Sequence, residues 1–197
     1  MFIQVIQGPC SRPDDLRAVA DSWKDGPGAD AEGQLGGTFG FTDDGLFIGV
    51  IRFASRELAM ANSARPEQDE WAQRFVATFD AQPEFRDYDE VVVLLDGGSD
   101  DAGFVQVIRG RVSDRSALDV LMSDPDRLRE MRPDIIGATF ALDAEGNFTE
   151  TVAFRDEATT RDLEASAEPP PEIAAALESV LRDASFHDLH QPWFESP

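Results

Sequence analysis

One short apolar segment occurs twice in the chain and constrains the fold more than any other feature. Residues 2–8 (FIQVIQG) reappear as residues 104–110 (FVQVIRG) in a chain of 197 residues. Further along, residues 36–39 (GGTF) match residues 137–140 (GATF) at almost the same spacing. Self-similarity at a fixed spacing is the sequence signature of a repeated structural unit. The sequence therefore predicts two copies of one module.

The first copy has the pattern of a mixed α/β unit. Residues 2–7 are rich in β-branched and aromatic residues, which is typical of a strand. A helix with one apolar face is expected after Pro13, and the turn at residues 43–45 (DDG) lies between two apolar runs, as in a β-hairpin. A second helix places Trp71 and its neighbours on a buried face, and residues 90–95 are an apolar strand. The predicted order is β-α-β-β-α-β, the ferredoxin-like unit.

The second copy repeats this order and ends less regularly. A strand at 104–109 leads to a helix, a hairpin at 143–146 and two further helical segments, the second of which follows three consecutive prolines. The last strand, at about 189–194, contains Pro192, so it is expected to be short or to lie at a sheet edge. These patterns predict a first module at residues 1–97, a flexible linker at 98–103 rich in Gly and Asp, and a second module at 104–197.

The charge of the chain excludes several classes of partner. It has 39 acidic and 17 basic residues and a formal net charge of −22. Nucleic acids and anionic membrane surfaces would be repelled by such a field. There is a single cysteine, Cys10, so no intramolecular disulfide is possible. No apolar run approaches the ~20 residues that a membrane span requires, and the first residues lack the pattern of a signal peptide, so the expected location is the cytoplasm.

The predicted architecture resembles the dimeric α/β-barrel superfamily. Two tandem ferredoxin-like units with Phe- and Trp-rich second helices are similar to its members, and residues 53–59 (FASRELA) resemble a strand-Ser-helix signature of the antibiotic biosynthesis monooxygenase branch. The resemblance implies an α+β fold of two tandem βαββαβ modules packed as a pseudo-twofold dimeric α/β barrel. Because one chain would supply both halves, we expect a monomer with an internal pseudo-dimer.

The same resemblance bears on cofactors. Members that degrade haem place a histidine ligand on the second helix of the module, whereas the two histidines of this chain, His187 and His190, lie near its end. A catalytic zinc site generally has three protein ligands, and the sequence offers no recognisable third ligand beside these two. We therefore expect no haem, no metal site and no other cofactor.

The best candidates for a ligand pocket lie where the two copies differ. Residues 62–71 (NSARPEQDEW) have no counterpart of similar character in the second copy. Asn62 could orient a ligand oxygen, Arg65 could hold an anionic group, and Trp71 could form an apolar wall. The alternative is that Asn62 and Arg65 simply end a helix and that Trp71 packs in the core.

Two polar residues in apolar strands are further candidates. Gln4 occupies the same position in the first copy as Gln106 in the second, so both are expected to face the same type of surface and to need a hydrogen-bond partner. Gln4 could therefore line a pocket or could be a satisfied strand residue. Arg52 could likewise reach a ligand or pair with one of the many acids.

Two functions remain open at the level of sequence. The favoured one is a small-molecule-binding protein with a non-catalytic or stress-associated role, because no residue is an evident general base. The expected partner is then a small aromatic or apolar molecule. The alternative is a cofactor-independent monooxygenase acting on a small phenolic or quinol-like substrate, a chemistry that occurs in the family and needs no flavin or metal motif.

Overall fold

The computed structural model describes residues 1–196 and contains two antiparallel five-stranded sheets. The strands of the first sheet lie in the order β10-β2-β3-β1-β4. They are β1 (Phe2–Pro9), β2 (Gln34–Phe41), β3 (Leu46–Phe53), β4 (Glu84–Tyr88) and β10 (Trp193–Glu195). The helices of this unit are α1 (Pro13–Asp21), α2 (Arg56–Ser63) and α3 (Pro66–Val76), with a short 3-10 helix at Pro27–Asp30.

The second sheet repeats this arrangement in the order β5-β7-β8-β6-β9. Its strands are β5 (Glu90–Leu94), β6 (Phe104–Arg111), β7 (Ile135–Leu142), β8 (Asn147–Phe154) and β9 (Ser185–Leu189). Its helices are α4 (Arg115–Met122), α5 (Pro125–Met131), α6 (Glu157–Ser166) and α7 (Pro171–Leu181). Among residues 1–196, every helix is too short or too polar to cross a bilayer.

The predicted α+β class and the β-α-β-β-α-β order are confirmed in both units. Each unit has the ferredoxin-like strand order, with the first strand of the copy between the third and the fourth. The predicted place of residues 90–95 is wrong in one respect. This segment does form a strand, β5, but it pairs with β7 in the second sheet, and the strand that closes the first ferredoxin-like unit is β4.

A fifth strand therefore joins each sheet from the other half of the sequence. The chain divides into one compact unit of Met1–Asp89 with the C-terminal segment from Trp193, and another of Glu90–Pro192. The predicted modules, with their boundary at 98–103, follow the sequence repeat, whereas the compact units divide at Asp89. Pro197, the last residue of the second predicted module, lies outside the described residues.

Each unit has a core between its sheet and its helices. Alternate residues of a strand point to opposite faces of the sheet. In the first unit, Ile6 and Phe47 pack with Trp71 and Phe75 of α3. In the second unit, a larger cluster combines alternate residues of β6 and β8 with side chains of α4 and α7: Phe104, Ile108, Phe148, Val152, Leu118 and Val180. The side chains between sheet and helices therefore decide what space each unit encloses.

A repeated glycine marks an irregularity in each sheet. The register of β2 on β3 shifts between Gln34 and Gly36, and that of β7 on β8 shifts between Ile135 and Gly137. A Cβ atom on Gly137 would lie only 1.7 Å from the carbonyl oxygen of Gly97. The close approach of two backbones explains why this position of the repeat carries glycine.

Substitution of Gly137 by Ala is expected to destabilise the second unit. The new methyl group has no room unless the backbone moves, and overpacking of this kind usually costs about 1–3 kcal/mol or more. Urea unfolding followed by circular dichroism would measure the loss. A variant with an unchanged unfolding midpoint would show that the close approach of Gly137 to Gly97 is not maintained in solution.

Candidate functional site

The first unit encloses a cavity of about 80 Å³ between its sheet and its helices. Aromatic side chains form much of its wall, and a few polar groups interrupt them. The residues discussed below are Gln4 of β1, Asn62 of α2, Trp71 and Phe75 of α3, and Glu195 of β10. Apolar cavities with few, well-placed polar groups are the usual form of small-molecule sites.

Asn62 is held in a fixed orientation at this cavity. It lies at the end of α2, a helix that begins where the Ser55 side chain accepts a hydrogen bond from the backbone N–H of Leu58. Asn62 is 7% exposed, and its Oδ1 accepts a hydrogen bond of 2.6 Å from Nη2 of Arg65. A guanidinium group only donates, so Oδ1 must face Arg65. Within residues 1–196 no group accepts from Nδ2, which leaves this donor for a ligand.

Trp71 is both a core residue and part of the cavity wall. Its ring stacks on Phe75 with the centroids 4.9 Å apart, and its Nε1 donates to the carbonyl oxygen of Val19 at 2.9 Å. Because the N–H group is satisfied by the backbone of α1, the indole is fixed and its apolar surface is available to line the cavity. The two sequence-based interpretations of Trp71, packing and pocket wall, are therefore compatible.

Glu195 brings a carboxyl group with an unusual pKa to the same cavity. Glu195 lies on β10, where it pairs with Gly37 of β2. Burial raises the pKa of the Glu195 carboxyl to about 7, and the negative charge of Asp21 contributes in the same direction, while Lys24 opposes it. A carboxyl group with a pKa close to neutrality is suited to take up and release protons.

The remaining predicted site residues are distributed around this cavity in different ways. Gln4 lines it and its Nε2 donates to Asp87 at 3.0 Å, so the partner predicted for this strand residue is present. Arg65 does not line this cavity, and it donates to Oδ1 of Asn62 and to the carbonyl oxygen of Pro27. Arg52 is buried on the opposite face of β3 and donates to Thr38 at 3.1 Å, so it does not reach this cavity.

The equivalent glutamine of the second unit is paired in the same way. Gln106 donates from Nε2 to Asp188 at 2.8 Å. Gln106 and Asp188 occupy the positions of Gln4 and Asp87 in the two copies. The predicted need of both strand glutamines for a partner is thus confirmed.

A cluster of polar side chains surrounds His190 in the second unit. Ligand atoms of Glu157, Asp188 and His190 lie within 4.8 Å of one another, a spacing that suits a metal ion. Arg161, however, donates to both carboxylates, so their charge is already compensated. His187 lies apart on β9, where its ring contacts the hydroxyl of Ser185. We therefore interpret the group as an ion-pair network.

Three solved structures resemble the whole chain. A candidate monooxygenase from Fusobacterium nucleatum superposes with a TM-score of 0.75 at 8% identity, over 99% of this chain and 94% of that one. A candidate monooxygenase from Lactobacillus acidophilus gives 0.68 at 12% identity, over 99% of both chains. A protein described as anthrone oxidase-like gives 0.69 at 13% identity, over 99% of this chain and 92% of that one.

These matches decide the architecture. The chain has the fold of these three proteins over nearly its whole length. The predicted resemblance is therefore confirmed at the level of fold, and the full-length coverage agrees with a tandem duplication. No protein-family model matches the sequence, and no curated protein matches it.

Proposed function

We propose that the chain is a cofactor-independent monooxygenase that oxidises a single-ring phenol or quinol in the cavity of the first unit. The observation that carries the proposal is the presence of a free amide donor, Asn62, and a carboxyl group with a pKa of about 7, Glu195, on the wall of one aromatic-lined cavity. The similarity in fold to candidate monooxygenases supports the same reaction class.

The proposed reaction begins with removal of a proton. The Glu195 carboxylate accepts the phenolic proton, and the N–H group of Asn62 stabilises the phenolate oxygen that forms. The phenolate transfers one electron to O₂, which gives a phenoxyl radical and superoxide. These combine at a ring carbon that carries hydrogen, and a C–O bond forms.

The second half of the reaction needs no external reductant. The protonated Glu195 carboxyl returns its proton to the outer peroxide oxygen. The ring carbon then loses its proton, the O–O bond breaks and hydroxide leaves, so that a second ring carbonyl forms. The hydroxide and a proton combine as water, and the sum is phenol plus O₂ to quinone plus water. The enclosing aromatic side chains, Trp71 and Phe75 among them, would keep bulk water from the radical pair.

The size of the cavity limits the substrate. A cavity of roughly 150 Å³ holds one benzene ring, and the cavity of the first unit has about 80 Å³. A single ring can therefore enter only if a wall residue moves, and a three-ring substrate such as an anthrone is too large. Trp23, which follows α1 and is only partly buried, is the wall residue that we expect to move.

The proposal is tested by oxygen uptake with a panel of single-ring phenols and hydroquinones. We expect one O₂ consumed per quinone formed, with the quinone identified by mass spectrometry. The substitution Asn62→Ala removes the amide donor and is expected to lower kcat by about 100-fold, as for loss of one donor to a developing oxyanion.

The matched control is Gln73→Ala, which removes an amide from the exposed face of α3, where Gln73 donates only to Asp69. This variant should retain full activity. If no compound of the panel is turned over while the same compounds raise the melting temperature, the chain is a small-molecule-binding protein and the proposed reaction is wrong.

A further inference from the structure

The second unit encloses a much larger cavity than the first. It has a volume of about 500 Å³ and lies between the sheet and helices α4 to α7. Most of its wall is apolar and is formed by side chains such as Leu121, Met131, Phe140, Ile173 and Leu177. Pockets that hold organic ligands usually measure ~300–1,000 Å³. The cavity therefore has room for a ligand of two or three fused rings.

One carboxyl group, that of Glu150, interrupts the apolar sheet side of this cavity. Glu150 lies on β8 between Phe148 and Val152, and successive side chains alternate between the two faces of a strand, so it shares their core face. Its cross-strand neighbours are Phe140 on β7 and Ile108 on β6, both of which belong to the same core. Within residues 1–196 no side chain donates a hydrogen bond or forms an ion pair with Glu150.

The fold does not require a carboxyl group at this position. The sequence repeat aligns Glu150 with Gly49 of the first unit. There the space is taken by aromatic rings, since a Cβ atom on Gly49 would lie 3.0 Å from Phe39 and 3.1 Å from Phe47. Glu150 is partly buried. A desolvated carboxylate without a partner is unfavourable, and desolvation raises the pKa of Glu150 to about 7. An unfavourable group that the fold does not need points to a ligand.

The other charged groups on the wall favour a ligand of positive charge. Arg127 is paired with Glu172 at 2.8 Å, and Arg132 is paired with Asp134 at 2.8 Å. The remaining charged groups on the wall are the acids Asp124 of the turn before α5, Glu164 of α6 and Glu168 of the loop that follows α6. Since both arginines already have carboxylate partners, an anionic ligand would find no unpaired cation among these side chains.

We propose that the cavity of the second unit binds an apolar cation, a fused-ring molecule with one ammonium group that pairs with Glu150. The rings would occupy the apolar wall formed by α4, α5 and α7, and the ammonium group would supply the partner that Glu150 lacks. A buried ion pair of this kind is favourable relative to a buried charge alone, because removal of one partner leaves the other uncompensated.

The proposal is tested with three fluorescent ligands that share one ring system. They are 9-(aminomethyl)anthracene, 9-anthracenemethanol and 9-anthracenecarboxylate, which differ in one substituent that is cationic, neutral or anionic. At pH 8 we expect the amine to bind at least tenfold more tightly than the alcohol, and the carboxylate to bind most weakly. Fluorescence titration of the full chain measures all three dissociation constants.

Two further measurements tie the preference to Glu150. Between pH 6 and pH 8 the ionised fraction of a group with a pKa of about 7 rises about tenfold, so the Kd of the amine should fall about tenfold while that of the alcohol stays constant. In Glu150→Gln the preference for the amine over the alcohol should be lost. The Asn62→Ala variant, whose change lies in the other cavity, should bind all three ligands like the unchanged protein.

Two outcomes would overturn the proposal. One is equal binding of the amine and the carboxylate, and the other is a Glu150→Gln variant that keeps the preference for the amine. The pH dependence of the unchanged protein decides the matter if Glu150→Gln does not fold. Ligand binding is read without turnover, so failure of the oxygen-uptake assay and failure of this titration are separate results.

Discussion

Replacement of Glu195 by Gln is expected to reduce kcat/KM for phenol oxidation by about 10²–10⁴-fold, the usual contribution of a positioned general base. The amide has nearly the shape of the carboxyl group but cannot accept the phenolic proton. In the unchanged protein kcat/KM should rise with pH up to about 7 and then level off, because only the ionised form of Glu195 is a base. Steady-state oxygen uptake from pH 5 to pH 9 measures both effects.

Two control variants separate catalysis from a general loss of negative charge. Glu178→Gln changes an exposed residue of α7 and should leave the pH profile unchanged. Asp21→Asn removes a negative charge that helps to raise the pKa of Glu195, so the rising limb of the profile should move to lower pH. A Glu195→Gln variant with full activity and the same rise of kcat/KM with pH would show that Glu195 is not the base of the proposed reaction.

The repeat made the architecture predictable, but it did not reveal the partner of each strand. Segments 2–8 and 104–110 predicted two ferredoxin-like units, and both are present. The sequence did not predict that β5 and β10 each pair in the sheet of the other unit, because a hydrophobic pattern predicts a strand and says nothing about its neighbour. The strand β4 was missed because it lies at a sheet edge, where Glu84 and Phe85 are exposed and no apolar alternation develops.

The candidate site was predictable in part. Asn62 and Trp71 were found because the two copies differ there, and both line the same cavity. Glu195 was missed because it stands near the end of the second copy in sequence, yet its strand completes the first sheet. Only the pairing of β10 with β2 brings this carboxyl group to the cavity of the first unit.

Glu150 had a signal that sequence reasoning could have used. In β8, Phe148, Val152 and Phe154 lie on one face at a spacing of two, so an apolar residue is expected at position 150. An acid at such a position predicts either a strand of weaker burial or a functional carboxyl group. The choice depends on the helices that cover the strand, and their packing could not be derived from the spacing of residues alone.

The same carboxyl group predicts an unusual pH dependence of stability. Desolvation raises the pKa of Glu150 from 4.5 to about 7, so the folded state binds more protons than the unfolded state between these values. The free energy of unfolding contributed by this group is therefore highest below pH 4.5 and is lost as the pH rises to about 7. At 1.36 kcal/mol per pKa unit, the loss amounts to about 3 kcal/mol.

Glu150→Gln removes this dependence, because a glutamine does not ionise. Relative to the unchanged protein the variant should be more stable by about 3 kcal/mol at pH 8.5 and nearly equal in stability at pH 4.5, as measured by urea unfolding at each pH. Glu168→Gln, at the rim of the same cavity, should differ by less than about 0.5 kcal/mol at both pH values. A Glu150→Gln variant whose advantage is the same at both pH values would show that Glu150 ionises in the folded protein as it does in the unfolded chain. The cavity would then not desolvate this carboxyl group, and its need for a cationic partner would disappear.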